Sequence, residues 1–574
     1  MKMKKYLMLF FILTSLVGCN SWLDVNKDPN NPQDVPIALL LPTVEFNAVN
    51  VVCPGSSTGG LGEDLGVYTH QLSTRESANV YSVNGSDFFV ESSWGYMYNT
   101  SLQNCENMIA KAYTLKAPYY AGIGLIIKSY LFSQYVDVFG DVPFSEANKK
   151  SAGILYPKFD KGVDIYPQLI VLLDSGIVQL QKAKPTITPG ADDLIFGGDA
   201  SKWIKTANTI KLKLYAQTYN QNGIDKVALG AKITALLATP TQLIGSTADG
   251  FMFPFTATRK PDNRNPGYVG TYEATQKTTN MSPWFYEILK GINPVFQSIV
   301  DPRIPYYFYN QLTKTGPGKD ATPSLFEYRD GGFVSIYFGS NGPDNGRALD
   351  KSNTVYGIYP CGGRYDEGDS LTVDGTSGTG AAPYRFLTYA DRLFLEAELI
   401  QAGIITGDAR AKLSDAMTEA FKLVDYVVGK ANVKQTIPSL TDPKDPNSTK
   451  TTAYINAILG LFDAGSSAKK MEIIMTEKWI SSFGSHVDQY TDYRRTGFPV
   501  MFDPNNSTMA PNHFVTPPAG GDPERTDPPV NVSCSLNYPR SLPWSTDELN
   551  VNKNAPKAKT DLSLPLVFWD PKLN

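Results

Sequence analysis

The residues that come closest to a catalytic motif form the stretch GSSTG (55–59), which matches the G-x-S-x-G pattern of serine hydrolases. In those enzymes the middle serine, here Ser57, acts as the nucleophile from a sharp strand-to-helix turn. Pro54 and the neighbouring serines are typical of an ordinary turn instead. An exported esterase or glycoside hydrolase is therefore the less favoured interpretation.

Other catalytic and metal-binding patterns are missing from the sequence. None of the three histidines, His70, His486 and His513, has the spacing to another that a metal site needs. No sequence feature pairs two carboxylates across a cleft, and no G-x-x-x-x-G-K-[ST] phosphate-binding loop occurs. We predict a protein that is not an enzyme, and we assign it no cofactor and no metal ligand.

The most informative reactive side chain is Cys19, which follows Leu16-Val17-Gly18 at the end of a short apolar run. A basic start and twelve mostly apolar residues (6–17) are too short to span a membrane but suit a secretory signal. The arrangement resembles a bacterial lipobox, in which the thiol carries the lipid anchor. We predict a signal peptide at 1–18 and a lipidated, flexible tether at 19–36. A plain secretory peptide with an incidental cysteine is the alternative.

The bulk composition excludes some classes of partner. The formal charge is −4, and removal of residues 1–18 takes away three lysines and no acid, which makes it −7. Nucleic acids select for basic patches, so no nucleic-acid partner is expected. No later run reaches eighteen apolar residues, and therefore no further membrane span is predicted.

The remaining cysteines and the aromatic residues say less. Four cysteines are left after the lipid signal: Cys53, Cys105, Cys361 and Cys534. They contain no C-x-x-C, and an exported location permits any of three disulfide pairings or free buried thiols. The 40 prolines, 47 glycines and 12% aromatic residues predict shaped loops that carry rings, as carbohydrate and peptide binders use.

Helical periodicity marks the elements that must position such residues. Trp203, Ala207, Ile210 and Leu214 form one apolar stripe with Ser201 at its start, and lysines lie off that stripe. Further stripes run over 389–400, 413–424 and 471–483, and the first two are joined closely enough to form a helical hairpin. Residues 251–385 are instead rich in Pro, Gly, Asn and rings, which predicts a loop-rich insertion within a single body at 37–574.

Four stretches carry a family resemblance: IIKSYLFSQYVDVFGDVPFSEA (126–147), FGGDASKWIKTANTIKLKLYAQ (196–217), TYADRLFLEAELIQAG (388–403) and EKWISSFGSHVDQYTDYRRTGFP (477–499). We interpret the last as a helix that runs into an arginine-bearing loop. Together with the lipobox they resemble the SusD/RagB family of outer-membrane nutrient-binding lipoproteins of Bacteroidetes, over nearly the whole mature chain.

The resemblance implies a mostly α fold, in which tetratricopeptide-like helix pairs form a scaffold with a large loop-rich ligand-binding face. It also implies a function without catalysis. By this resemblance, the lipoprotein is expected to capture oligosaccharides, or in some members peptides, at the cell surface. It is expected to deliver them to a SusC-like TonB-dependent transporter, over which it sits as a lid, while the lipid on Cys19 holds it to the outer membrane.

The resemblance also suggests ligand-binding residues. The segment 91–107 is similar to one that carries a ligand-facing tryptophan, which makes Trp94 the first candidate, with neighbours Tyr96, Tyr98 and Asn99. Other candidates are as follows: Arg75 on the preceding loop, and Trp284 and Tyr286 in TNMSPWFYE (279–287). Aromatic planes stack on the C–H faces of sugars while Asn and Arg bind hydroxyls, but core packing is the alternative for each ring. A helical-repeat scaffold subunit with no ligand of its own is the alternative function.

Overall fold

The computed structural model describes residues 35–55, 59–320, 326–340, 349–431, 434–506, 532–564 and 567–571. Cys19, the predicted signal peptide 1–18, most of the predicted tether 19–36, Ser57 and His513 lie outside the described residues.

The described chain is mostly α-helical, as predicted. Its helices are α1 (Ile37–Val52), α2 (Gly62–Tyr68), α3 (Phe88–Gly95), α4 (Leu102–Thr114), α5 (Pro118–Phe139), α6 (Gly162–Leu180), α7 (Ala200–Thr218), α8 (Lys226–Leu237), α9 (Pro266–Tyr268), α10 (Pro283–Lys290), α11 (Ile304–Tyr307), α12 (Ile358–Cys361), α13 (Tyr389–Gln401), α14 (Ala409–Ala431), α15 (Asn447–Ala464), α16 (Ser467–Ser481), α17 (His486–Thr496) and α18 (Thr546–Val551). Wide π-helical turns occupy Tyr96–Ser101 and Val269–Glu273.

Consecutive helices pack on each other, as tetratricopeptide-like pairs do. Helix α5 contacts α4 and α6, α6 contacts α7, α13 contacts α14, and α15 contacts α16. Helix α13 also contacts α7 and α16, which joins the two halves of this helical scaffold. Most of the buried apolar residues form one continuous core that reaches from Ile37 to Trp569.

Local sequence explains where key helices begin. The predicted stripe of α7 is buried at Trp203, Ala207, Ile210 and Leu214, as expected. Its cap, however, is Asp199 rather than Ser201, because the Asp199 carboxylate accepts hydrogen bonds from two main-chain N–H groups of the first turn. Helix α13 opens with a reciprocal capping box.

Strands are short and pair as five antiparallel two-stranded ribbons. They are β1 (Leu72–Ser73), β2 (Val142–Pro143), β3 (Phe159–Asp160), β4 (Phe251–Phe253), β5 (Asn280–Met281), β6 (Phe308–Tyr309), β7 (Tyr328–Asp330), β8 (Phe333–Ser335), β9 (Val355–Tyr356) and β10 (Tyr384–Leu387). The pairs are β1–β5, β2–β3, β4–β10, β6–β9 and β7–β8. Most strands belong to residues 251–385, where they alternate with short helices.

Two expectations about polar residues are wrong. The predicted arginine-bearing loop at 485–499 is mostly helix α17, and Arg494 and Arg495 are buried on it. Its inward stripe is polar, so apolar periodicity could not reveal it. Lys213, expected off the buried stripe of α7, is 4% exposed and forms an ion pair with Asp488 at 2.7 Å.

Helix α6 has the length and hydropathy of a membrane span, which the sequence analysis did not expect. By length and composition it is the one candidate among the described helices. Of its most apolar 18-residue stretch, 33% is buried. Core helices of soluble proteins and signal sequences meet the same criterion.

Candidate functional site

The first group of predicted ligand residues lies on one continuous helical segment. Helix α3 runs into the π turn Tyr96–Ser101 and then into α4. A π turn holds more residues than an α turn, so it changes which side chains face outward, and such turns are frequent at functional sites. The two sides of this segment differ sharply in exposure.

Trp94 lies on the inner side and is 6% exposed. Its ring contacts Tyr98, Tyr135 and Phe139 at centroid distances of 5.1, 5.6 and 5.3 Å. The Tyr98 hydroxyl donates to the carbonyl of Pro143 at 2.9 Å, and burial raises the pKa of Tyr98 well above its usual value. Both rings therefore pack α3 and the π turn onto α5.

The outer side of the segment is accessible. We call Phe88, Ser92, Gly95, Tyr96 and Asn99 the outward face. Phe88 is 57% exposed and its ring meets that of Phe89 edge to face at 5.3 Å. Asn99 is exposed and Tyr96 is half-buried. Apart from Gly95, its chain neighbours and the backbone of its own helix, no atom of the described residues lies within 4 Å of where a Cβ on Gly95 would be, so the position faces open space.

Phe88 and Phe89 were missed by the sequence analysis. Counting back from Tyr96 at helical spacing gives Ser92 and Phe88, so the periodicity of the segment held the signal. Gly59, before α2, packs against this end, since a Cβ on Gly59 would overlap the side chain of Ser92. Gly59 has a φ of 71°, which other residues rarely adopt.

Arg75 lies close to this face along the chain. It is half-buried in the turn after β1. The Ser77 hydroxyl donates to Asp87 at 3.0 Å, and Asp87 also accepts from the backbone N–H of Asn84 at 2.9 Å. Because Asp87 directly precedes α3, these bonds tie the Arg75 turn to the start of the outward face.

Trp284 and Tyr286 belong to a second aromatic group. They are 7% and 5% exposed on α10. The indole N–H of Trp284 donates to the carbonyl of Val500 at 3.1 Å. Tyr286 stacks on Phe333 with centroids 3.8 Å apart and donates to Asp330 at 2.9 Å. In the structure both rings are therefore buried within the loop-rich region.

The two aromatic groups are separate. Ring contacts lead from Trp284 through Phe502, Tyr337 and Tyr328 to Tyr286. Within the described chain no ring contact joins this network to Trp94. The structure therefore brings together the first four predicted residues and, separately, the last two, and it does not form one aromatic arc from all of them.

A buried carboxylic acid lies beside Trp284. Glu287 lines a small cavity with Trp284, Tyr337, Phe338 and Phe502. Burial raises the pKa of Glu287 to about 7, with a smaller upward contribution from Asp330, while a hydrogen bond with Tyr328 lowers it. The acid is therefore partly protonated at neutral pH.

The histidines that could serve catalysis are buried elsewhere. Burial lowers the pKa of His70 to about 3 and that of His486 to about 4. His70 bonds to the Tyr81 hydroxyl at 3.0 Å, and His486 bonds to the carbonyl of Gly62. Both rings are neutral packing elements in the core.

The cysteines of the body are also structural. Cys53, Cys105, Cys361 and Cys534 are buried, and no disulfide joins any of these described residues. The sequence left two alternatives, disulfide bonds or buried thiols, and the structure shows buried thiols. Within the same part of the chain, no group of three His, Cys, Asp or Glu side chains could hold a metal ion.

An open groove of about 630 Å³ lies in the loop-rich region. Tyr272 and Glu273 at the end of the π turn Val269–Glu273 line it, together with Ala274, Thr275, Lys277, Arg259 and residues 350–351 and 372–376. Its lining includes six charged side chains: Arg259, Glu273, Lys277, Asp350, Lys351 and Asp374. This concavity was not found from the sequence.

A family model places this fold among known proteins. The SusD-like model described as starch-binding and associating with the outer membrane matches residues 29–517, and the chain belongs to that family, SusD/RagB. A search of curated protein sequences found no match.

Solved structures confirm the fold. A SusD homologue from Bacteroides fragilis NCTC 9343 matches with a TM-score of 0.62 and 17% identity, covering 90% of this chain and 94% of its own. A chitin-binding protein matches at 0.61 and 18%, covering 93% and 100%. A SusD/RagB family protein from Bacteroides thetaiotaomicron VPI-5482 matches at 0.60 and 19%, covering 91% and 95%.

Proposed function

We propose that this chain is a cell-surface nutrient-binding lipoprotein. It captures oligosaccharides, or peptides, and delivers them to a SusC-like TonB-dependent transporter in the outer membrane. The observation that carries this proposal is the family match over residues 29–517. Cys19 provides the lipid anchor, and the tether at 19–36 lets the body move over the transporter while it stays attached.

The ligand lies on the outward face in this proposal. The exposed ring of Phe88 offers an apolar plane to a sugar C–H face or a peptide side chain. The Tyr96 hydroxyl and the Asn99 amide bind polar groups, and Arg75 adds a cation from the adjacent turn. The predicted residues Trp94 and Tyr98 hold this face from below.

The helical side supports a protein partner. Val163, Val171 and Val178 of α6 are exposed although they are apolar. Apolar surface of this kind suits a protein interface, which fits a transporter and also fits the alternative of a helical-repeat scaffold without its own ligand. Ligand binding by the isolated body separates the two.

Isothermal titration calorimetry on residues 20–574 tests the proposal, with neutral oligosaccharides and short peptides as ligands. We expect binding that weakens at least tenfold in a Phe88→Ala, Tyr96→Ala double variant. Tyr113→Ala is the matched control, since Tyr113 is an exposed ring on α4. No binding of either ligand class would contradict the proposal and favour the scaffold. Equal weakening in the control would remove the outward face as the site.

A further inference from the structure

The groove in the loop-rich region is lined by separate stretches of the chain. They contribute Arg259, Tyr272, Glu273, Ala274, Thr275, Lys277, Asp350, Lys351 and residues 372–376. The volume of about 630 Å³ lies within the range of roughly 300–1,000 Å³ typical of ligand pockets. Nothing in the proposed function assigns a role to these residues.

Two arginines hold Glu273 in place beside the groove. Arg259 pairs with Glu273 at 2.8 Å, and Arg264 donates a second hydrogen bond of 2.8 Å to the other oxygen of Glu273. These pairs satisfy the Glu273 carboxylate and fix the end of the π turn that lines the groove. Because these side chains are already held in place, little conformational entropy is lost when a ligand binds beside them.

Lys277, in the lining of the groove, has donor capacity that the protein does not use fully. The Lys277 ammonium makes a long hydrogen bond of 3.3 Å to the carbonyl of Ala274, and no carboxylate of the described residues lies within 4 Å of it. The backbone N–H of Lys277 donates to Asp350 at 2.6 Å, so the two residues sit together. Partial burial lowers the pKa of Lys277, which a bound acceptor would offset.

The charges of the lining balance. Three cations face three anions: Arg259, Lys277 and Lys351, and Glu273, Asp350 and Asp374. The groove therefore has no net charge with which to select an acidic or a basic ligand. Carboxylates accept and ammonium groups donate, so neighbouring pairs of opposite charge suit hydroxyl groups, which do both.

Stacking contributes little in this groove. Tyr272 is the one aromatic residue of the lining, and it is buried. Its hydroxyl donates to the carbonyl of Tyr356 at 2.6 Å and accepts from the backbone N–H of Arg364 at 2.9 Å. A ligand here is held through its polar groups, in contrast to one on Phe88.

We propose that this groove is a second ligand site that binds a neutral, hydroxyl-rich segment of an oligosaccharide through Lys277, Asp350 and Asp374. The inference rests on the proposed capture function and narrows its ligand class to neutral oligosaccharides, whose hydroxyl groups donate to the carboxylates and accept from the ammonium group.

Calorimetry with maltohexaose, cellohexaose, xylohexaose and chitohexaose tests this proposal, beside hexagalacturonate and hexa-alanine. We expect at least one neutral hexasaccharide to bind, and Lys277→Met and Asp350→Asn each to weaken it about tenfold, the cost of losing a charged hydrogen bond. Ala274→Trp, which fills the groove, should weaken binding further. Lys226→Met is the matched control, because Lys226 is an exposed lysine of α8.

Each outcome decides the question. Full binding by Ala274→Trp, or preference for hexagalacturonate or hexa-alanine, would overturn the groove proposal. If Phe88→Ala weakens hexasaccharide binding while Lys277→Met and Ala274→Trp do not, capture stands and the groove fails. If the wild-type body binds no ligand, the proposed function fails and the groove proposal falls with it. Circular dichroism confirms that each variant is folded.

Discussion

The helical scaffold and the loop-rich region are held together in different ways. In the scaffold, helices bury apolar stripes and a connected set of ion pairs. Arg495 bonds to Glu398 at 2.6 Å and to Asp492 at 2.7 Å, and Lys478 bonds to Asp492 at 2.8 Å. Burial pushes the pKa of Asp492 up, but Lys478 and Arg495 outweigh it and hold the pKa below its usual value.

In the loop-rich region, strands of two to four residues are too short to stabilise themselves. Ring contacts and side-chain bonds to main-chain carbonyls take their place. Gln311, for example, donates to the carbonyl of Asn353 at 2.9 Å. Arg303 joins the two regions, since it is fully buried and bonds to Glu477 of α16 at 3.1 Å.

This difference indicates which region of the sequence can vary. The helices of the scaffold all pack in the same way, whereas each loop of the loop-rich region depends on its own contacts. A rigid scaffold can therefore carry loops whose polar surfaces change with the ligand.

The largest expected effect comes from breaking the ion pairs of the scaffold. Arg495→Ala should lower the free energy of unfolding by about 5 kcal/mol, because it removes the close partner of the buried Glu398 carboxylate and leaves Asp492 with Lys478 alone. Urea unfolding followed by circular dichroism measures the change.

The exposed pair Arg410–Asp463, at 2.7 Å, is the matched control for that experiment. Solvent screens this pair, so Arg410→Ala should leave the unfolding midpoint unchanged. Equal losses in the two variants would show that burial of the scaffold pairs is not what makes them important.

Trp94→Ala should cost about 4 kcal/mol of stability, because it removes a buried indole from contact with Tyr98, Tyr135 and Phe139. Trp94→Phe keeps most of that packing and separates a packing role from ligand contact. If Trp94→Phe retains the melting temperature but weakens oligosaccharide binding tenfold, Trp94 contacts the ligand directly, as predicted from the sequence. We expect instead that Trp94→Phe changes the affinity for oligosaccharides little, because Trp94 is buried.

The sequence predicted the scaffold well because apolar residues repeat at helical spacing there. The stripes of α7, α13, α14 and α16 lie where expected. Helix α17 was missed because its buried face carries His486, Gln489 and two arginines, whose burial depends on partners from distant elements.

The candidate site could be predicted only in part. Residue type alone favours a large ring such as Trp94 as a ligand contact, yet the side of the helix on which a ring lies decides its exposure. The groove was beyond sequence reasoning, since Lys277, Asp350 and Asp374 are brought together by loops with no periodicity.

A smaller effect depends on pH and belongs to the loop-rich region. Burial raises the pKa of Glu287 to about 7 in the folded chain, while an unfolded glutamate titrates near 4.5. Between these values the unfolded chain loses its proton first, so this group favours unfolding as pH rises. Relative to Glu287→Gln, the wild-type chain should lose about 3 kcal/mol from pH 4 to pH 8.

Urea unfolding of both chains at several pH values measures that difference. Glu45→Gln serves as a comparison from the scaffold, because burial also raises the pKa of Glu45 well above its usual value. If the difference in free energy of unfolding between wild type and Glu287→Gln stays constant from pH 4 to pH 8, the pKa of Glu287 is the same in the folded and the unfolded chain, and the prediction is wrong.

The smallest expected change in stability is at the outward face. Phe88 is 57% exposed, so Phe88→Ala should alter the free energy of unfolding by less than about 0.5 kcal/mol. Its effect on binding should be larger, roughly 2- to 10-fold in Kd, since an aromatic contact contributes about 0.5–1.5 kcal/mol. Trp94 and Phe88 lie six residues apart on one segment, and the two substitutions should therefore have opposite profiles. Loss of stability without loss of affinity in Phe88→Ala would show that this ring serves the fold, and the outward face would no longer be the place where the ligand is captured.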